Sequence, residues 1–137
     1  MKAWIVMVLA LTLPVSAVMA EEGKEEGGPP KVSYITLSPP FVGNYALDGS
    51  PRLHVYKADV ALRVTGPEAE AAVKRQDPLI RNQLVTLFTQ QTADSFSNVE
   101  SKEKLRQEAL KQVQDVMANE EGKPMVEDLL FNNLIVQ

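Results

Sequence analysis
Cysteine is absent from the chain. That excludes a disulfide scaffold, a thiolate metal site, a cysteine nucleophile and a lipid-modified cysteine. Histidine occurs once, as His54. A metal site would therefore need carboxylates around it, and Asp59 lies too far along an extended strand to chelate with it. His54 reads instead as a strand-start residue beside a turn. A catalytic triad would also have to use His54, and none of Ser33, Ser38 or Ser50 sits in a G-x-S-x-G elbow. A basic surplus is missing too: 14 Lys and Arg face 18 Asp and Glu, a net charge of −4. This is a poor match for a phosphate backbone, so no nucleic-acid partner is expected. Gly27-Gly28-Pro29-Pro30 lacks the lysine and flanking elements of a phosphate loop. Glu21, Glu22, Glu25 and Glu26 match no calcium-loop spacing. The expectation is a protein with no catalytic residue, no metal site and no cofactor.

What is present has a clear order. Met1-Lys2 gives a minimal positive start, and residues 3–20 are uncharged and largely apolar. Val18-Met19-Ala20 places small residues before a cleavage point, and Glu21-Glu22 follows, as in a secretory signal peptide. The alternative is a short membrane anchor, for eighteen residues span about 27 Å against a hydrocarbon core of roughly 30 Å. Either way the residues after Ala20 are expected on the periplasmic or outer side. Residues 21–31 are charged and rich in Gly and Pro, which predicts a disordered acidic tether. Residues 32–137 remain as one domain, with 45% hydrophobic and 23% charged residues in the whole chain.

Within that domain, Val32 to Leu37 is β-branched and aromatic and reads as a short strand stopped by Ser38-Pro39-Pro40. Phe41 to Leu47 suggests a second strand, with turn chemistry at Asp48-Gly49-Ser50-Pro51. From Tyr56 to Val64 apolar residues occupy the even positions, which predicts a strand with one buried and one wet face. Pro67 opens a helix, with Glu70 and Lys74 spaced to pair on its outside. Asp77-Pro78 repeats the cap-plus-proline signal for a second helix carrying Ile80, Leu84, Leu87, Phe88 and Gln91. A third helix is predicted over 101–118 with Leu105, Ala109, Val113, Val116 and Met117 as its stripe, ended by Gly122. The last segment, Met125 to Gln137, is strand-like, with a bulge expected at Asn132-Asn133. Strands, then about three helices, then a strand give an α+β fold: one helix layer on an antiparallel or mixed sheet.

Asp77-Pro78-Leu79-Ile80-Arg81, with Leu84, Leu87 and Thr92, resembles the signature of the FliL family of flagellar basal body-associated proteins. Lys102-Glu103-Lys104-Leu105-Arg106 with Ala109 and Val113 is similar to the family's next helix. Leu130-Phe131-Asn132-Asn133-Leu134-Ile135-Val136-Gln137 is similar to its final strand. The chain departs at Ser101, where the family usually has glycine. It departs also at the start, where only Met1 and Lys2 precede the apolar segment. The resemblance implies an SPFH/stomatin-like periplasmic domain at the inner membrane. It also implies homo-oligomers around the flagellar stator, contacts with basal body proteins, and support of torque, swimming or swarming. No catalytic residue is implied. Arg81, early in the second helix, is the candidate contact to a partner or second copy. The alternative for it is an intramolecular pairing or a surface arginine. A second functional class stays open, a free periplasmic protein-binding module with no flagellar role.

Overall fold
The computed structural model describes residues 29–45 and 53–137. The signal or anchor segment, the tether up to residue 28 and the Asp48–Pro51 turn lie outside the described residues. Among the described residues no helix is long and apolar enough to cross a membrane.

The described residues form four strands and three α-helices in the order β1 (Val32–Thr36), β2 (Phe41–Tyr45), β3 (His54–Thr65), α1 (Pro67–Arg75), α2 (Asp77–Thr89), α3 (Val99–Glu121) and β4 (Val126–Val136). A 3-10 turn at Ala93–Phe96 sits between α2 and α3. The sheet is antiparallel throughout, which resolves the mixed alternative. Its centre is β3, the segment whose alternation was clearest. On one side β4 runs along it from Tyr56↔Val136 to Val64↔Val126. On the other, β1 pairs with Ala61–Thr65 and β2 with His54–Ala58, so the two short strands lie end to end. Ser38-Pro39-Pro40 is thus an interruption in one sheet edge, carrying a cis Ser38–Pro39 bond, and not a turn between neighbours. Leu37 lies just beyond β1, fully buried, and its N–H donates to the Val60 carbonyl at 2.9 Å.

The even residues of β3, Tyr56, Ala58, Val60, Leu62 and Val64, are all buried under the helices. The opposite face is not uniformly wet: Ala61 is buried between its register partners Thr36 and Leu130. Each helix brings one stripe to the core. These are Ala69, Ala72 and Val73 from α1; Ile80, Leu84, Leu87 and Phe88 from α2; and Leu105, Ala109, Val113 and Met117 from α3. Full burial of a Val, Leu, Ile, Phe or Met side chain contributes about 1.5–3 kcal/mol, so these stripes, more than helix propensity, hold the layers together. Val116 is only partly buried, at the rim of its predicted stripe.

Helix ends differ from the expectation in instructive ways. Pro67 does open α1, and Lys74 pairs with Glu70 at 3.0 Å. At α2 the cap position falls on Gln76, with Asp77 already helical. The reason is that Gln76 still donates to Ala72 and already accepts from Ile80, so α1 runs into α2 with no room for a side-chain cap. Gln91 lies past the end of α2, where its amide donates to the Leu87 carbonyl. The third helix starts at Val99, because Asn98 caps it by accepting from the Ser101 N–H at 2.8 Å. At its other end Gly122 takes φ 84°, which a side chain would make costly.

Two bulges shape β4. Between Asp59↔Asn133 and Val60↔Phe131 the pairing skips Asn132, as the Asn pair suggested. Between Arg63↔Asp128 and Val64↔Val126 it skips Glu127, a bulge the sequence did not advertise.

Candidate interaction surface
Helices cover one face of the sheet, and among the described residues the other face is open. Tyr34 (57% exposed), Val42 (65%) and Ile135 (43%) stand on it. Lys57, Asp59 and Arg63 alternate among them along β3. The bulge at Glu127 re-aims that side chain toward the neighbouring strand. There its carboxylate lies 3.3 Å from the Arg63 Nε and accepts a short bond from the Thr65 hydroxyl. The Arg63 Nε makes an ion pair by distance but no hydrogen bond. This face carries scattered apolar groups between charges, the pattern of a solvated or docking sheet surface and not of a reaction centre.

Arg81 lies beside the interrupted edge. Its guanidinium sits 4.3 Å from the Phe41 ring centroid and donates to the Pro39 carbonyl at 2.5 Å. A cation over an aromatic face contributes about 0.5–1 kcal/mol where partly exposed. Arg81 therefore grips the Ser38–Pro40 interruption from α2, and its first role is within the chain. His54 is likewise occupied: its ring stacks on Tyr45 at 5.0 Å, at the start of β3. The structure brings Arg81 and His54 to different places, and neither joins a cluster of acids. Among the described residues no three His, Asp or Glu side chains are grouped to hold a metal ion.

Among the described residues two ionic fasteners tie α3 to the rest of the fold, and the sequence alone reveals neither. The guanidinium of Arg106, whose side chain is 24% exposed, donates to the Asp128 carboxylate at 2.5 Å, to the Leu129 carbonyl at 3.1 Å and to Glu103. Asp128 also accepts from the Leu129 N–H at 2.8 Å, next to the second bulge. At the far end of α3, Glu121 receives Arg75 at 2.6 Å and the Gln76 amide at 2.6 Å, fixing the α1–α2 junction. The spacing of Glu103 and Arg106 was visible in the sequence; their partners across the fold were not.

These pairs should make the domain's stability fall in acid. Hydrogen bonds from Arg106 hold the Glu103 carboxyl below its ordinary range, and those from Arg75 and Gln76 do the same for Glu121. A carboxyl whose pKa is lower folded than unfolded stabilises fully above the unfolded value, about 4.3. That contribution is lost as pH falls through the lower folded value. Melting temperature should hold steady down to about pH 5 and then fall. Glu103→Gln and Glu121→Gln should each melt lower at neutral pH and show a shallower acid slope; slopes matching the parent would contradict this assignment.

The architecture defines a class: a two-layer α+β domain with helices on one side of an antiparallel sheet and an open sheet face on the other. The chain belongs to the FliL family of flagellar basal body-associated proteins, whose family model matches residues 34–137, from within β1 to the last residue. It is also 28% identical over 111 residues to the flagellar protein FliL of Aquifex aeolicus (strain VF5). That alignment covers 80% of this chain and 65% of the relative, so the chain spans about two-thirds of that protein's length. The family is one of flagellar accessory proteins and not of enzymes.

Proposed function
We propose that the protein is a non-catalytic accessory of the flagellar basal body that associates with the stator and supports torque in swimming or swarming. The observation that carries this reading is the family match across every element of the domain from β1 to β4. A role by protein contact suits a domain whose surface offers an open sheet face and an arginine at an interrupted edge. The domain acts on the periplasmic side of the inner membrane, delivered there by residues 1–20. Those residues remain as an anchor if they are not cleaved. Its partners are stator and basal body proteins and further copies of itself. Arg81 uses one donor on Pro39 and keeps others for a partner carboxylate.

In-frame deletion in the native host tests the reading. Swarming and swimming in viscous medium should be impaired while envelope integrity stays normal, and the intact gene should restore both. Unchanged motility under load would overturn it. Complementation with Arg81→Ala, its fold checked by circular dichroism, then asks whether this arginine serves the partner or only its own edge.

A further inference from the structure
β1 and β2 share one side of β3 but are held very differently. In β2, Phe41 and Tyr45 are buried; Phe41 meets Phe88 edge-on at 5.6 Å and Tyr45 packs on Phe96 at 4.9 Å. Arg81 adds its grip on Phe41 and Pro39. In β1 no side chain is fully buried: Val32 and Tyr34 are about half exposed, Thr36 is exposed, Ser33 is only partly covered, and Ile35 alone packs, half-buried, against the core. Its hold on β3 is a five-residue ladder, bracketed by the Gly66 N–H on the Lys31 carbonyl and the Leu37 N–H on Val60. Local opening is cheapest where few apolar contacts are lost and backbone bonds face solvent. β1 meets both conditions, and the next residue, Leu37, meets neither.

We propose that β1 is a releasable strap. It opens from Ala61–Thr65 as a unit of its own while β2 and the helix layer stay folded, and the opening stops at Leu37 and the Arg81 grip. Residues 1–31 lead into the domain at Val32, so anything fastened to them pulls on the weakest strand first. Release of five residues lengthens that lead by about 17 Å without unfolding the core. The use of this slack at a motor rests on the reading above; the opening itself does not.

Native-state hydrogen exchange on the full-length chain, followed by NMR, decides it. Amides of β1 should exchange on the order of 100-fold faster than those of β2, with rates hardly sensitive to low denaturant. Equal protection and a shared denaturant slope would overturn the strap. The register partners Val32 and Thr65 also allow β1 to be pinned, and the chain has no other cysteine to interfere. In oxidised Val32→Cys/Thr65→Cys, β1 protection should rise to the β2 level and fall again on reduction. Fast β1 exchange persisting in the oxidised form would mean that opening from β3 is not its cause. Both readouts are independent of flagellar function, so a motility result cannot be mistaken for either.

Discussion
Phe88→Ala should destabilise the domain by about 3–5 kcal/mol, a large part of the 5–15 kcal/mol that holds a typical domain together. Phe88 is the point where three elements meet α2. Its ring lies edge-on to Phe41 of β2 and Tyr56 of β3 at 5.6 Å each, and 5.9 Å from Phe131 of β4. It is 1% exposed. Truncation removes the transfer energy of the ring and leaves a void, since packed neighbours close in only partly. Gly43 marks how little slack exists on the far side of Tyr56: a Cβ built there would stand 2.8 Å from the Tyr56 hydroxyl. Urea unfolding followed by circular dichroism gives the number. A loss below about 1 kcal/mol would mean that the aromatic cluster is far less cooperative than its geometry implies.

Arg106→Ala should cost about 2–3 kcal/mol, because its charged hydrogen bonds are lost and their partners stay behind. Asp128 and the Leu129 carbonyl are the partners stranded, both under α3. Asp128 keeps one bond, from the Leu129 N–H, which limits the loss. The signature of a fastener is coupling: Arg106→Ala combined with Asp128→Asn should cost clearly less than the two single losses added. Simple additivity in a double-mutant cycle would show that the two side chains stabilise the domain separately.

Much of this is legible in the sequence. The even-position alternation of Tyr56 to Val64 specified the central strand, and Ile80, Leu84, Leu87 and Phe88 specified the buried side of α2. Pro67, Gly122 and the Asn132-Asn133 pair marked a helix start, a helix end and a bulge, because each reflects a local backbone preference. What was not legible depends on distant residues. Nothing near Ser38-Pro39-Pro40 says that the flanking strands continue one another along the same neighbour. Nothing near Glu127 announces a second bulge, and the partners of Arg106 and Glu121 are supplied by tertiary packing. The cap at Asn98 is hidden for a milder reason: the apolar stripe begins later, at Leu105, so periodicity alone makes the helix too short. For Arg81, the motif located the residue, and the structure supplied the Pro39 and Phe41 contacts that the motif could not.

The bulge at Asn132 has a further consequence for how this strand can change in descent. A strand ordinarily cannot gain or lose one residue, since every side chain beyond the change would swap faces. Asn132 is surplus to the pairing, lying between Asn133 and Phe131 opposite the consecutive residues Asp59 and Val60. Its removal leaves Phe131 still opposite Val60 and Leu134 still opposite Ala58, each on the side of the sheet it now occupies. Relatives one residue shorter at this point can therefore keep the same core, whereas a loss in β4 away from its two bulges must be absorbed by moving one of them.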